Sequence, residues 1–400
     1  MGTLKSVRQK GKEIFSFEYD KEWLESGQAQ LLDPELQLYT GLQHLGGDQK
    51  NFGLFLDSSP DRWGRLLMRR REAALARKEE RAEQHLFETD YLLGVFDGHR
   101  MGALRFKLKK DGSFINNNRE LASPPWASIR ELEQISLKLE QDDIIEDPEY
   151  LKWLSILIAP GASLGGARPK AGIVEKDQSL WIAKFPSRND EGDIGAWEML
   201  TYELAIDAGI KMAESKAQKF SSNYHTFLTK RFDRTSGGER IHFASAMTML
   251  GYTDGQDHGD GISYLELVEF ISENGVNVAE DLEELWRRIV FSICVSNTDD
   301  HLRNHGFILS ESGWQLSPAY DINPVATGTG LKLNISDNDN ALDLDLAMSV
   351  HEFFRLKEAK ANEIIEEVKS SVRKWKTVAT KYGISRAEQE IKALAFSRAK

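Results

Sequence analysis

The chain has 400 residues, 40% hydrophobic and 28% charged, with a formal net charge of −12 and a single cysteine. That length exceeds one ordinary core and predicts two or more packed lobes of a soluble globular protein. The acidic balance argues against a whole-surface nucleic-acid binder, Cys294 alone excludes an internal disulfide framework or a cysteine-built metal site, and no stretch approaches the ~20 apolar residues of a membrane span.

The N-terminal Met1-Gly2-Thr3-Leu4-Lys5 has no apolar signal core. Together with the cysteine usage this predicts a cytoplasmic protein with no membrane partner. The charge is uneven: Phe353 to Lys400 holds twelve Lys/Arg against six Asp/Glu, so that tail is +6 and the remainder −18. Arg69-Arg70-Arg71 is a second basic cluster. Both are expected as solvated helix faces, the alternative being contact with nucleic acid or an acidic partner.

In chain order, Glu13-Ile14-Phe15-Ser16-Phe17-Glu18-Tyr19 alternates and predicts a strand. Leu54-Phe55-Leu56 reads as an apolar strand or turn before a helix start, with Ser58 or Ser59 as cap and Pro60 at the first helical position. Trp63 through Arg81 continues as a charged helix. Thr89 to Val95 and Gly102 to Phe106 suggest a helix or loop returning into a strand. Turn signals at Asp111-Gly112, Asn116-Asn117-Asn118 and Ser123-Pro124-Pro125 place a boundary there. The expected division is 1–122, 123–232 and 233–400.

Helices are predicted over Ile129 to Leu139 and Leu151 to Ile158. The next stretch, Ala159-Pro160-Gly161-Ala162-Ser163-Leu164-Gly165-Gly166-Ala167-Arg168-Pro169-Lys170, is rich in glycine, which lets backbone N–H groups turn toward phosphates. It is neither a Walker A loop, since Ala167 stands where the lysine belongs, nor the kinase G-x-G-x-x-G. A tight surface turn would read the same way. Two strands follow, Ala171 to Glu175 and Leu180 to Phe185. The second carries Lys184 among apolar residues, where an ammonium calls for an anionic partner or an escape to water.

Gly195 to Ala208 has helical spacing and offers Glu198 and Glu203 as partners for Lys184. His225 to Phe232 predicts a strand ending at Lys230-Arg231-Phe232-Asp233-Arg234, a hinge whose backbone would meet adenine. His242 is expected to be structural. Helices are expected over Tyr264 to Ile271, over Ala279 to Val295, and over most of the chain beyond Val350.

The second of these leads into Asn297-Thr298-Asp299-Asp300-His301-Leu302-Arg303-Asn304. Asp299 and Asn304 have the D-x-x-x-x-N spacing of a kinase catalytic loop, where the Asp takes the substrate hydroxyl proton and the Asn holds a metal. Asp321, in Ser317 to Pro324, stands where a kinase keeps a metal-chelating Asp. Asp299 is therefore the candidate base, with Asn304 and Asp321 as oxygen ligands for Mg2+. His301 and His305 leave open a His/Asp metal site of a hydrolase. That alternative does not account for the glycine stretch or Lys184, so His301 fits better beside nucleotide phosphates and Asp300 as a structural acid. The order of parts, from Gly-rich loop through strand lysine and hinge to D-x-x-x-x-N loop and second Asp, is that of phosphoryl transfer from ATP with Mg2+.

Ser163 to Lys170, Ala183-Lys184-Phe185-Pro186, Lys230 to Arg234, Asn297 to Asn304 and Ala319-Tyr320-Asp321 together resemble the HipA family. Its members are serine/threonine protein kinases that act as toxins of type II toxin–antitoxin systems. Phe17-Glu18-Tyr19 and Leu56 to Arg65 resemble its N-terminal subdomain. The resemblance implies an α+β, two-lobed protein-kinase-like fold, with a β-rich N-terminal lobe, an accessory subdomain and a helical C-terminal lobe. It implies ATP contacts from Leu164, Gly165, Gly166, Ala167, Arg168, Pro169, Lys170, Lys184, Lys230, Arg231, Phe232 and His301. Ser163 matches the autophosphorylated serine, whose added charge would be poorly tolerated beside ATP phosphates. A HipB-like helix-turn-helix antitoxin is the implied partner, with DNA reached through it, and an aminoacyl-tRNA synthetase is among the implied substrates. Arg168-Pro169 and Ser245 depart from the family pattern, at positions the resemblance ties to loop mobility and substrate choice. A kinase-shaped regulator without significant catalysis, and a small-molecule kinase, are the competing expectations.

Overall fold

The computed structural model describes all residues except 28, 48, 118–127, 142–143, 145–146 and 159–167. The chain divides into two compact units, Met1–Leu180 with Asp233–Asp254, and Trp181–Phe232 with Gly255–Lys400. The expected segments 1–122, 123–232 and 233–400 do not coincide with these units. Turn-rich composition marks where the chain bends, whereas the units are set by which segments pack together.

In the first unit, Gly2–Gln9 and Leu42–His44 flank Lys12–Tyr19 in an antiparallel sheet. Phe15, Phe17 and Tyr19 alternate inward, as the period of two requires. Leu54 to Leu56 form part of a short helix, Gly53–Leu56, rather than a strand. The charged helix runs Arg62–Lys78, and its cap is Asp61, whose side chain accepts from Gly64 N, rather than Ser58 or Ser59. Ser59 Oγ is engaged instead with Phe55 O at 2.9 Å, which leaves Pro60 outside the helix. Helices Ile129–Leu139 and Tyr150–Ile158 and strand Lys170–Val174 follow as anticipated.

In the second unit, Trp181 to Lys184 of strand Leu180–Lys184 lie antiparallel to Thr226–Lys230, which in turn pairs with Ser215–Gln218. Helix Ile194–Asp207 packs on these strands. Helix Val278–Val295 is the axis of the helical part, with Leu282, Leu285, Trp286, Ile289, Val290, Ile293 and Cys294 all buried. Helix Glu358–Val372 and the C-terminal segment Ala393–Ala399 pack against it. Hairpin Gly306–Ser310 and Gly313–Leu316 follows the polar loop. Burial pushes the Cys294 thiol up to about 12, so it is an inert core group. No helix among the described residues is long and apolar enough to cross a membrane.

Candidate active site

Four pieces of the second unit meet in sequence-distant contacts. The first is Lys184 at the end of its strand. Its ammonium lies 2.5 Å from Glu198 Oε1 and 2.6 Å from Asp321 Oδ1. Burial opposes the charged form, but Asp321 and Glu198 outweigh it and hold Lys184 above the ordinary lysine range. Of the two candidate glutamates, Glu198 is therefore the partner. Glu203 faces the other way, bonded to Lys381 Nζ at 2.6 Å and to the Tyr382 hydroxyl.

Glu198 is placed by its helix. Asp193 caps the N-terminus by accepting from Ala196 N at 3.1 Å, and its carboxylate also meets His225 Nδ1 at 2.6 Å. Burial opposes ionisation of Asp193, and His225 and the backbone donors overcome it, holding the carboxyl below its usual range.

Asp321 is the second anchor of Lys184. Its backbone is left-handed, with φ +59°, a region an L-residue occupies at a cost and Asp tolerates better than most. The surrounding bonds hold it there. Ala319 exchanges backbone bonds with Lys211 and Ala213, and Thr201 Oγ1 donates to Ile322 O at 2.7 Å. Asn323 Nδ2 donates to Asp321 Oδ1 at 3.2 Å, and Asn323 N donates to Asn297 Oδ1 at 3.3 Å.

The catalytic-loop sequence begins where helix Val278–Val295 ends. Ser296 takes φ +51°, and Asn297 N bonds back to Ser292 O at 2.8 Å, turning the chain sharply out of the helix. Asp299 is then exposed, with its carboxylate available to a reactant. Asn304, at the end of a short turn of helix, donates from Nδ2 to Asp299 O at 3.0 Å, so the two ends of the D-x-x-x-x-N stretch are tied together.

Asp300 is a buried structural acid. Tyr264 donates its hydroxyl to Asp300 Oδ2 at 2.6 Å, and His305 Nε2 lies 3.1 Å from Oδ1. Burial raises its pKa, but His305 and the Tyr264 hydroxyl outweigh that and keep it below the ordinary carboxylate range. His305 is thereby committed to the core, and among the described residues no three His, Cys, Asp or Glu side chains gather as a metal cluster.

The donors that remain are hard oxygens. Asn304 Oδ1 and Asn323 Oδ1 are buried with no hydrogen-bond partner; Asn323 Nδ2 bonds the Asp321 carboxylate, and Asn304 Nδ2 bonds Asp299 O. Unmet carbonyl oxygens beside a carboxylate fit Mg2+. Asn323 was not among the sequence candidates. The signal that could have found it is its place two residues after Asp321 in a polar turn. His301 Nδ1 is likewise buried and unpartnered.

The other sequence candidates fall into two groups. Lys230 pairs with Glu214 at 3.2 Å, Arg231 is buried, and Phe232 packs against Tyr320 with ring centroids 5.7 Å apart. Tyr320 in turn donates to Arg303 O at 2.9 Å, linking Phe232 to the 297–304 loop. Ser163, Leu164, Gly165, Gly166 and Ala167 lie outside the described residues. Arg168, Pro169 and Lys170 belong to the first unit, where the Lys170 ammonium is buried against Asp61 Oδ2 at 2.7 Å. Lys170 is thus a fastening of the charged helix, since Asp61 is also its cap.

Comparison with known proteins matches residues 162–375 to the family described as HipA-like C-terminal domain. A putative kinase of Haemophilus influenzae is 26% identical over 184 residues, covering 42% of this chain and 53% of that protein. The serine/threonine-protein kinase toxin HipA of Shewanella oneidensis is 24% identical over 230 residues, covering 50% of this chain and 52% of that protein. The chain therefore spans about half the length of the curated relatives it matches. Among solved structures, the complex of Shewanella oneidensis MR-1 HipA, HipB and operator DNA aligns with TM-score 0.64 at 16% identity, over 99% of this chain and 94% of that one. The α+β kinase-like fold is shared.

Proposed function

The chain belongs to the HipA-like C-terminal domain family, and from that premise we propose that it is an ATP- and Mg2+-dependent serine/threonine protein kinase. The observation that carries the reading is the Lys184 ammonium held between Glu198 and Asp321, in the same unit as the tied Asp299–Asn304 loop. Lys184 supplies a fixed positive charge for nucleotide phosphates, and Glu198 keeps it aimed there. Asp299, exposed and fixed through its backbone by Asn304, accepts the proton of the acceptor hydroxyl. Asp321, Asn304 and Asn323 present oxygens to Mg2+, which when bound would neutralise charge on the phosphates. His301, Lys230, Arg231 and Phe232 border the nucleotide in this reading.

The finer assignment follows the family. The kinase would serve as the toxin of a type II toxin–antitoxin pair, with a HipB-like helix-turn-helix antitoxin as partner and DNA contacted through it. Its substrate would be a cellular protein, an aminoacyl-tRNA synthetase being one class, and phosphorylation of Ser163 would silence it. Radiolabel transfer from ATP tests the core of this. Wild type should label itself or a protein in a lysate, and Asp299→Asn should lower transfer roughly 1,000-fold while still binding ATP. A wild type that labels nothing yet binds an antitoxin would leave a kinase-shaped regulator. Label arriving on a small molecule instead would move the acceptor class. Ser163 still unmodified after long incubation with ATP and Mg2+ would count against self-silencing.

A further inference from the structure

The C-terminal segment has no part in the chemistry above, yet its side chains reach three pieces of it. Lys392 Nζ donates to Pro324 O at 2.8 Å, three residues beyond Asp321. Ala395 O accepts from Ser296 Oγ at 2.9 Å, and Arg398 Nη1 donates to the same hydroxyl at 3.2 Å. Ser296 is the left-handed residue from which the Asp299 loop departs. Phe396 stacks on Trp375 at 4.5 Å and on Trp197 at 6.1 Å, and Trp197 is the neighbour of Glu198 on its helix.

We propose that residues 392–398 are a positioning element for phosphoryl transfer, fixing the Asp321 turn, the start of the Asp299 loop and the Glu198 helix relative to one another. The central member is Lys392. It is half-buried, and among the described residues no carboxylate is paired with it, so its charge is directed at a backbone carbonyl. Burial lowers its pKa, an unfavourable placement that a surface lysine would avoid. Pro324 has no N–H, so its carbonyl is the hydrogen-bonding group its backbone offers. The Asp321 turn is already held on either side, at Ala319 and at Ile322. Downstream, Lys392 on Pro324 and Val325 N on Ser296 O, at 3.1 Å, complete the hold. A left-handed Asp321 needs both ends of its turn fixed, because its own backbone preference would relax it.

This proposal rests on the kinase reading, and the experiment separates the two. The full chain is compared with Lys392→Met, Lys392→Arg and the surface control Arg386→Met. Transfer kinetics, thermal melting and backbone hydrogen exchange of peptides spanning 319–325 and 264–274 are measured. Lys392→Met should lower kcat roughly 10- to 100-fold with KM for ATP little changed. Exchange should accelerate in 319–325 and not in 264–274. Lys392→Arg should restore most of kcat, and Arg386→Met should match wild type. Unchanged kcat in a folded Lys392→Met would overturn the proposal, as would a loss accompanied by equal acceleration in both peptides. If wild type transfers no phosphate, the kinase reading fails by itself. The exchange data then still decide: acceleration confined to 319–325 upholds the bracing, and its absence overturns it.

Discussion

Replacing Lys184 by Met removes the ammonium but keeps an unbranched apolar stem of similar reach. The structure sets the cost. Glu198 is 5% exposed and Asp321 24% exposed at their side chains, and both lie within bonding distance of Lys184. Breaking a buried pair by removing one partner costs about 3–5 kcal/mol, because the remaining charge is stranded. Asp321 keeps some solvent, which screens it, so the total should fall near the low end, about 3 kcal/mol. The pH dependence follows from the direction of the lysine shift. Lys184 is held above its ordinary range, so its contribution is complete below that range and is lost only as pH rises beyond it. Wild type should therefore show no Lys184-linked change between about pH 6 and pH 9. In Lys184→Met the carboxylates lose their cationic partner, which disfavours their charged forms, so the deficit should shrink as pH falls. Urea denaturation at several pH values reads both effects, and adding Glu198→Gln to Lys184→Met should recover part of the loss. Phosphate transfer should drop roughly 100- to 1,000-fold. A deficit below about 1 kcal/mol that does not vary with pH would show that the three side chains do not form the coupled group described, since that size belongs to exposed pairs.

Tyr264→Phe deletes a buried hydrogen bond to a charged carboxylate and should cost about 1.5–3 kcal/mol in chemical denaturation at neutral pH. Asp300 is held low, so its contribution is present above the unfolded carboxylate range and lost as pH falls through the lower folded value. Without the Tyr264 hydroxyl that folded value rises, and acid unfolding should begin at higher pH; coincident acid midpoints would refute the assignment. Gly328→Ala would place a Cβ 2.2 Å from Thr298 Cγ2 and 2.6 Å from its Cβ, displacing the residue before Asp299. Stability should fall by about 1–3 kcal/mol and kcat should fall with it, while ATP binding persists in calorimetry. Cys294, buried and with its thiol pushed up to about 12, should resist alkylation in the native protein and react on unfolding.

Much of the candidate site was legible because its chemistry is linear in the chain. Asp299 and Asn304 lie within one polar stretch between apolar segments, Asp321 lies in a second one beyond the Gly306–Leu316 hairpin, and Lys184 stands out as a cation on a buried strand. The strand and helix bounds near them follow from simple periodicity, as at Ile194–Asp207 and Val278–Val295. What escaped depended on distant partners. Nothing local distinguishes Glu198 from Glu203; the difference is that one faces the sheet and the other faces Lys381. Lys170 sits at the end of a glycine stretch and invites a phosphate, yet its ammonium is bonded to Asp61, 109 positions away. Asp61 was hidden as a cap by the stronger local signal of Ser59-Pro60. Lys392 resembles any lysine of a basic helix until Pro324 appears beside it.

The left-handed backbone of Asp321 has a consequence for interpreting variants at that position. Two demands fall on one side chain there, a negative charge and tolerance of an uncommon backbone region. Glu satisfies the first and resists the second. Asn and Gly satisfy the second and lose the first. No standard substitution keeps both, so an inactive variant at 321 does not by itself reveal which demand was broken. Asn is the informative replacement because it keeps the turn and removes the charge alone. Loss of activity in Asp321→Glu, with retained activity in Asp321→Asn, would identify this aspartate as valued for its shape before its charge.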